Sequence, residues 1–458
     1  MDIKNLHNVY LIGIGGIGMS AIARYFKSLN LNVAGYDKTQ SPLTEELINE
    51  GINIHFNDNI DNIPKLFTKD NNSTLIIYTP AIPKNHIEYN YFKANNFQLY
   101  KRSKVLGLIS NDKQGVAVAG THGKTTVSAL IAHILKQSKF DCSAFLGGIS
   151  NNYKSNLLLS KKSNLVVVEA DEFDKSFLQL LPYFAVVTSV DADHLDIYGN
   201  EENLKKSFAQ FIKQIKPNGK LLIKKSIDIN YDLNKGVKKY TYSLREKSDF
   251  YANKINLSNG IYYVDIVTPE KVFEKVEIGL PGLFNVENSI AAFAVTYLLG
   301  IEEQCLRDAL SSSKGVMRRF NYIVKTNNLV YIDDYAHHPN ELKAAISSTR
   351  ELYPNKKITG IFQPHLYSRT RDFAIDFAKS LDLLDCLILL DIYPAREMPI
   401  EGVSSQIIFD KVNIENKVLC SKSELINILK KIDIEVLLTL GAGDIGRLVK
   451  PIKKYLEI

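Results

Sequence analysis

Short aliphatic runs that end in glycine or polar clusters, each followed by a helix-period pattern, recur along the chain and restart three times. Val9–Ile14 leads into GIGGIG and a helical pattern over Met19–Leu29, with further apolar runs at Asn32–Tyr36 and Leu75–Thr79. GVAVAG (Gly115–Gly120) opens a second series, ahead of THGKTT and a helix over Val127–Lys136, and LVVVEAD (165–171) and FAVVTSVDADH (184–194) follow as strands. The third series begins near Gly315, with VYIDDY, ITGIFQP, CLILLDIY and VLLTLGAG. Strands alternating with helices predict parallel sheets with right-handed crossovers. The pattern therefore predicts an α/β protein of three domains, over 1–103, 104–315 and 316–458. The middle one turns strand-rich between residues 220 and 280 and closes on a helix over Asn285–Leu299. A chain of 458 residues suits that number of domains. In open parallel sheets ligands sit outside the carboxyl ends of the strands, where the motifs below fall.

Composition narrows the function classes. The chain is 45% hydrophobic and 23% charged, ordinary globular usage that argues against disorder. A net charge of +6 with no long like-charge run argues against nucleic acid and leaves anionic small molecules as ligands of local sites. The four cysteines, Cys142, Cys305, Cys386 and Cys420, form no CxxC pair, which predicts no zinc site, no disulfide framework and a reducing, cytoplasmic setting. There is no run of 18 or more apolar residues, so no membrane insertion is expected.

Gly13, Gly15 and Gly18 satisfy GxGxxG between a strand and a helix, and Asp37 ends the next strand. Such a turn lets the backbone approach a pyrophosphate at a helix N-terminus, of either a dinucleotide or a nucleotide-sugar diphosphate. GTHGKTT (Gly120–Thr126) is the strongest single feature. Lys124 can reach phosphate oxygens, Thr125 can offer its hydroxyl to Mg²⁺, and the amides from Gly120 to Thr126 can cradle a triphosphate. A strict GxxxxGKT would need glycine where Val118 stands. Glu169, with Asp171 and Glu172 after it, and His194, with Asp191 and Asp193 before it, are candidates for the metal. Helix capping is the competing reading for Asp171, Asp191 and Asp193. Five of the nine histidines (His122, His194, His337, His338, His365) fall in strand-end loops, and Arg369 and Arg371 follow His365. Arg369 can clamp a carboxylate through two parallel bonds or form a surface ion pair.

GTHGKTT, EADEFDKSF, VDADHLDIYG, MRRF, DDYAHHPNE, FQPHLYSRT, YPAREMPIEGVS and GAGDIG occur in the order found in the Mur ligases, which the chain resembles over nearly its full length. DDYAHHP, FQPH and YPARE point to the branch that adds the first amino acid. The resemblance implies a Rossmann-like first domain for the sugar nucleotide, a P-loop ATPase-type central domain and a Rossmann-like C-terminal domain that binds the amino acid and closes on ATP. It implies joining of L-alanine to the lactyl carboxylate of UDP-N-acetylmuramate in peptidoglycan precursor synthesis, with ATP as co-substrate, Mg²⁺ or alternatively Mn²⁺ as the metal, and a monomer or homodimer.

By the same resemblance Gly13, Gly15, Gly16, Ile17 and Gly18 hold the UDP diphosphate, with Asp37 near the uridine or its ribose. Gly120, Thr121, His122, Gly123, Lys124, Thr125 and Thr126 cradle ATP, whose adenine falls to Asn285 and Asn288 and whose ribose and phosphates fall to Arg319 and Asp334. Thr125, Glu169 and His194 resemble metal ligands, and Tyr335, His337, His365 and Arg369 surround the incoming alanine. Two positions depart from the pattern: Phe284 replaces a histidine in FNVEN, and Leu366 stands where arginine is often found. Some relatives use a carbamylated lysine near the metal; no such modification is expected of Lys205 or Lys206.

The implied chemistry is attack of the lactyl carboxylate on the γ-phosphate, giving an acyl phosphate that the amine of alanine then opens. Lys124 and the metal, through Glu169 and His194, would offset the repulsion between two anions, and His337 or His365 would take or orient the amine proton. The other readings are a nicotinamide-dependent oxidoreductase, a nucleotide-binding regulator, and a relative that attaches a preformed tripeptide to the same sugar nucleotide.

Overall fold

A computed structural model describes residues 5–191, 195–395 and 397–457. The chain divides into two compact units, one built from Met1–Asn256, Tyr263–Glu277 and Asn288–Lys314, the other from Leu257–Tyr262, Ile278–Glu287 and Gly315–Ile458.

The first unit contains two parallel sheets. The N-terminal one orders its strands Asn53–His55, Asn32–Tyr36, Asn8–Ile12, Thr74–Tyr78, Gln98–Lys101, all parallel. The first strand, NVYLI, is buried at every position, as expected of a strand covered on both faces. Because strand order reverses there, the loop leaving Ile12 opens into the crevice where such sheets bind ligands. The second sheet runs Lys238–Tyr242, Lys220–Lys224, Phe184–Val187, Gln114–Ala119, Leu165–Ala170, Ser143–Ser150, Ser155–Leu158, parallel except for the last pair.

One apolar core joins the two sheets, with Met19, Ile22 and Phe26 of the first-sheet helix Ile17–Ser28 in the same cluster as Phe145, Leu157 and Val166. The fully buried Asn156 locks this packing. Its amide nitrogen donates to Ile17 O (2.6 Å) and Ser20 Oγ (2.9 Å), and its oxygen accepts from Arg24 Nη1 at 2.5 Å. A buried carboxylate, Glu88, lies under the N-terminal sheet, accepting from Tyr10 Oη (2.7 Å) with His55 Nε2 3.3 Å away.

The strand expected over 184–194 ends at Val187. Thr188 N makes a last bond to the neighbouring strand, at Ala119 O (3.0 Å), and Ser189 O turns to the loop that follows that strand, accepting from Thr121 N (3.2 Å). His194 lies outside the described residues. The strand-rich stretch also supplies a separate three-stranded sheet, Tyr251–Ser258, Ile261–Val267 and Val272–Ile278, whose middle strand alternates buried and half-buried residues with period two.

The second unit is a six-stranded sheet ordered Asn321–Lys325, Val330–Asp334, Val436–Leu440, Ile358–Phe362, Cys386–Leu390, Lys417–Cys420, antiparallel only at the first pair. VYIDD, VLLTL, ITGIF and CLILL are buried throughout. Placing Val436–Leu440 between the strands that end in DDY and FQP gathers three loops at one edge. All four cysteines are free thiols, and among the described residues no helix is long and apolar enough to cross a membrane.

Candidate active site

The first glycine loop follows directly from its strand. Gly13 N and Ile14 N donate to Tyr36 O (2.7 and 3.0 Å), turning the chain, and Gly15 N donates to Asp37 Oδ2 at 2.8 Å. The other Asp37 oxygen accepts from Thr39 N (3.0 Å), so this carboxylate ties the loop to the end of the second strand. Gly16 caps the helix Ile17–Ser28 without any side chain, which leaves the first-turn amides for an anion. They face a cavity of about 250 Å³ whose lining includes Gly16, Gly18, Arg102, Glu169 and Asp171.

In the second loop, Gly123 has φ +81°, a left-handed turn that starts the helix Lys124–Gln137 and again offers no side-chain cap. Asn288 sits over this turn, since a Cβ on Gly123 would lie 2.8 Å from Asn288 Oδ1. Around the loop, His122 N donates to Ser189 Oγ (2.7 Å), Thr188 Oγ1 donates to His122 O (2.5 Å), and His122 Nε2 lies 3.3 Å from Asp191 Oδ2. Lys124 Nζ donates to Gly120 O (2.6 Å) and lies 3.0 and 2.8 Å from the two oxygens of the fully buried Glu172. Burial works against the ammonium charge, but Glu172, Asp171 and Glu169 outweigh it and hold Lys124 above its ordinary range. Burial pushes the Glu172 carboxyl up, and the facing lysine pulls it back.

Glu169 projects from Leu165–Ala170 and accepts from Gly147 N at 3.1 Å. A Cβ on Gly147 would lie 2.0 Å from Glu169 Oε2, so only glycine admits the carboxylate at that point. Asp171 Oδ1 accepts from Phe173 N (3.2 Å) in the turn after the strand, but the N-cap of the helix Phe173–Gln179 is Glu172, one residue on. Glu169 and the buried Thr125 are hard-oxygen donors of the type a magnesium ion selects, and Glu169 lines the cavity beside Asp171. Among the described residues no group of three or more His, Cys, Asp or Glu forms a metal cluster, and His194, the third candidate ligand, lies outside them.

The second unit brings its own candidates together. The rings of Tyr335 and His337 lie 5.4 Å apart, those of His337 and His365 5.9 Å, and those of His365 and Tyr393 5.8 Å. The buried Arg369 places Nη1 3.4 Å from His365 Nδ1. His337 Nδ1 faces two acceptors, Tyr335 O (3.0 Å) and Glu341 Oε2 (3.2 Å), so Nδ1 carries the proton and Nε2 is the basic nitrogen of the neutral ring. The guanidinium groups of Arg318 and Arg319 stack over the Tyr335 ring, at 5.1 and 4.9 Å. Asp334 accepts from Phe320 N (2.6 Å) and Ala336 N (2.7 Å); burial raises its carboxyl to about 6 despite Arg319. Arg318 also binds Gly441 O (2.5 Å), tying GAGDIG to this edge.

Several positions had no assigned role in the sequence. Glu172 and Glu341 each stand beside a candidate residue, but their partners depend on how the chain turns. Gly147 was legible in principle, because a glycine inside a strand marks a close approach. Asn285 is buried and donates to Pro281 O at 2.7 Å. Phe284 packs edge-on against Phe320 (5.7 Å), so an aromatic contact stands where a histidine was expected. Leu366 is buried with φ +72°, a strained backbone for leucine. Arg371 pairs on the surface with Asp372, and Lys205 and Lys206 pair with Glu201 and Glu202 one turn away.

Three family models cover the chain in sequence: the Mur ligase family catalytic domain matches residues 8–114, the Mur ligase middle domain 118–296, and the Mur ligase glutamate ligase domain 318–443. The chain belongs to the Mur ligase family. Among Mur ligases it is 54% identical over 456 residues to the UDP-N-acetylmuramate–L-alanine ligase of Parabacteroides distasonis, covering 100% of this chain and 98% of that one. It is 51% identical to the protein of the same name in Flavobacterium psychrophilum, with 100% of both chains covered. The crystal structure of the UDP-N-acetylmuramate-alanine ligase of Thermotoga maritima superposes with a TM-score of 0.83 at 26% identity, over 98% of this chain and 99% of that one. A murein peptide ligase from Psychrobacter arcticus shares the fold, at a TM-score of 0.69 and 19% identity.

Proposed function

We propose that this Mur ligase joins L-alanine to the lactyl carboxylate of UDP-N-acetylmuramate, consuming ATP and releasing ADP and phosphate, in cytoplasmic synthesis of peptidoglycan precursors. Its domains in this reading are 1–103 for the sugar nucleotide, 104–315 for ATP and 316–458 for the amino acid. The observation that carries it is a cavity in which Gly16 and Gly18 of the first glycine loop line the same space as Glu169 of the ATP-binding segment. An oxidoreductase or a regulator has no need to open a pyrophosphate-type loop onto a phosphoryl-transfer carboxylate. The names of the full-length relatives supply the choice of alanine.

A carboxylate does not condense with an amine while hydroxide is its leaving group. Attack of a lactyl oxygen on the γ-phosphorus breaks its bond to the ADP oxygen and yields an acyl phosphate. Lys124, released from Glu172, neutralises charge on the transferring phosphoryl group, and the loop amides from Gly120 to Thr126 hold the other phosphates. Mg²⁺, or Mn²⁺, held by Thr125, Glu169 and His194, supplies further neutralisation of the phosphates when bound. Asn285 and Asn288 take the adenine, and Arg319 and Asp334 the ribose and phosphates. Gly13–Gly18 bind the diphosphate and Asp37 the uridine end.

In the second step the amine nitrogen attacks the acyl carbon, phosphate departs and one proton leaves the nitrogen. Arg369 holds alanine's carboxylate with Tyr335 beside it. His337 takes the proton on Nε2: Glu341 next to Nδ1 stabilises the resulting imidazolium, whereas His365 directs Nδ1 at a guanidinium and serves to orient. The test is phosphate release from ATP and Mg²⁺ with UDP-N-acetylmuramate, offering L-alanine, D-glutamate or tripeptide. Alanine-dependent release with the matching mass gain on the sugar nucleotide is expected. Release with tripeptide alone would move the chain to the peptide-attaching branch.

A further inference from the structure

Arg102 opens the helix Arg102–Ser110, where Lys101 as N-cap supplies no side-chain bond. A cation in a first helical turn opposes the macrodipole, so the helix gains nothing from it. The side chain is only 19% exposed and lines the cavity shared by Gly16, Gly18, Glu169 and Asp171, whose lining holds no other lysine or arginine. Its guanidinium lies directly over Gly18: a Cβ there would stand 2.8 Å from Nη1 and 3.3 Å from Cζ. The last glycine of GIGGIG thus makes room for an arginine from another element, beside the uncapped first turn of Ile17–Ser28. The one ionic partner of Arg102 among the described residues is Asp171 Oδ2 at 3.5 Å, long for a charged hydrogen bond. A guanidinium carries five donors, so this one keeps donors for a further anion.

We propose that Arg102 binds the diphosphate of the sugar nucleotide, completing with the first-turn amides of Ile17–Ser28 a two-sided anion site. The proposal rests on the sugar-nucleotide reading above and adds to it a residue that no glycine-loop motif contains. Without Arg102 the cavity would present a dianion with the carboxylates of Glu169 and Asp171 and no side-chain cation. The diphosphate is the part of the substrate that meets it, because the guanidinium rests on the first turn of the loop's own helix. A planar fork suits two phosphate oxygens better than a point charge does.

Calorimetry on the full chain tests this with UDP, UMP and ATP as titrants, for wild type, Arg102→Gln and Arg102→Lys. Arg102→Gln is expected to weaken UDP binding by about tenfold or more, UMP by clearly less, and ATP not at all. Arg102→Lys should fall between wild type and Arg102→Gln. In turnover, KM for the sugar nucleotide rises while KM for ATP holds. UDP binding by Arg102→Gln equal to wild type would overturn the proposal, and equal weakening of UDP and ATP would overturn it in favour of a structural role. Failure of the wild type to bind UDP would instead sink the sugar-nucleotide reading, and this proposal with it.

Discussion

The two glycine loops of the first unit share one backbone device and differ in where their charges come from. Each leaves a buried parallel strand, turns on glycine and enters a helix with no side-chain cap. In the second loop the cation is built in, because Lys124 is the helix's own first residue and is held by Glu172. The first loop carries no cation; a carboxylate, Asp37, spends one of its amides, and Arg102 arrives from a helix that starts far along the chain. A motif therefore reports the shape of an anion site more faithfully than its charge. A self-contained loop is legible from a few residues, while a loop completed by neighbours is not.

The sharpest way to break this comparison is at Lys124. Lys124→Ala should lower kcat by about 10²–10³-fold, on the scale of a lost oxyanion donor, while UDP affinity stays at the wild-type value; near-normal turnover would show that the second loop's cation is dispensable. Gly147→Ala comes next. Its methyl would overlap Glu169 Oε2, so a loss of about 1–3 kcal/mol from overpacking is expected. Turnover should fall by more than tenfold as the carboxylate is displaced, whereas unchanged melting and turnover would remove Glu169 from the site.

A smaller effect is expected on the side of the first loop. Asp37→Ala removes the acceptor for Gly15 N and should raise KM for the sugar nucleotide roughly fivefold, about 1 kcal/mol, leaving KM for ATP alone. An equal rise in both constants would mean that the two loops are not separate sites. Under the N-terminal sheet, burial pushes the Glu88 carboxyl up to about 7 from an ordinary 4.5. Between those values the native state keeps a proton that the unfolded chain has lost, so wild-type stability falls as pH rises through the window. Glu88→Gln does not titrate and should gain on wild type by about 1–3 kcal/mol from pH 5 to pH 8. Thermal melts of both proteins at the two pH values measure it, and parallel curves would show that Glu88 is already ionised in the folded state.

The α/β architecture was legible because strand burial on both faces leaves aliphatic runs that no other element explains. The 184–194 segment shows where that rule stops. Its apolar and polar residues read as one strand, yet the strand ends at Val187: Thr188 N makes a last bond to Ala119 O of the next strand, and Ser189 O turns to Thr121 in the loop beyond it. In the second unit DDYAHHP and FQPH each announced a polar strand end. Their meeting depends on Val436–Leu440 being inserted between the two strands, and strand order leaves no trace in local pattern. Phe284 was readable only as a departure; its packing on Phe320 is a contact across the chain.

By itself, the order of residues determined what is local: alternation of strand and helix, glycine at turns that need it, and a lysine placed one residue past Gly123. Tertiary structure alone decided which distant side chains complete those turns. Asn156 on the first loop's helix, Glu172 on Lys124 and Arg102 over Gly18 are pairings between elements. Their geometry exists only once hydrophobic burial has chosen the strand order, because burial responds to the whole core and no short stretch of sequence encodes it.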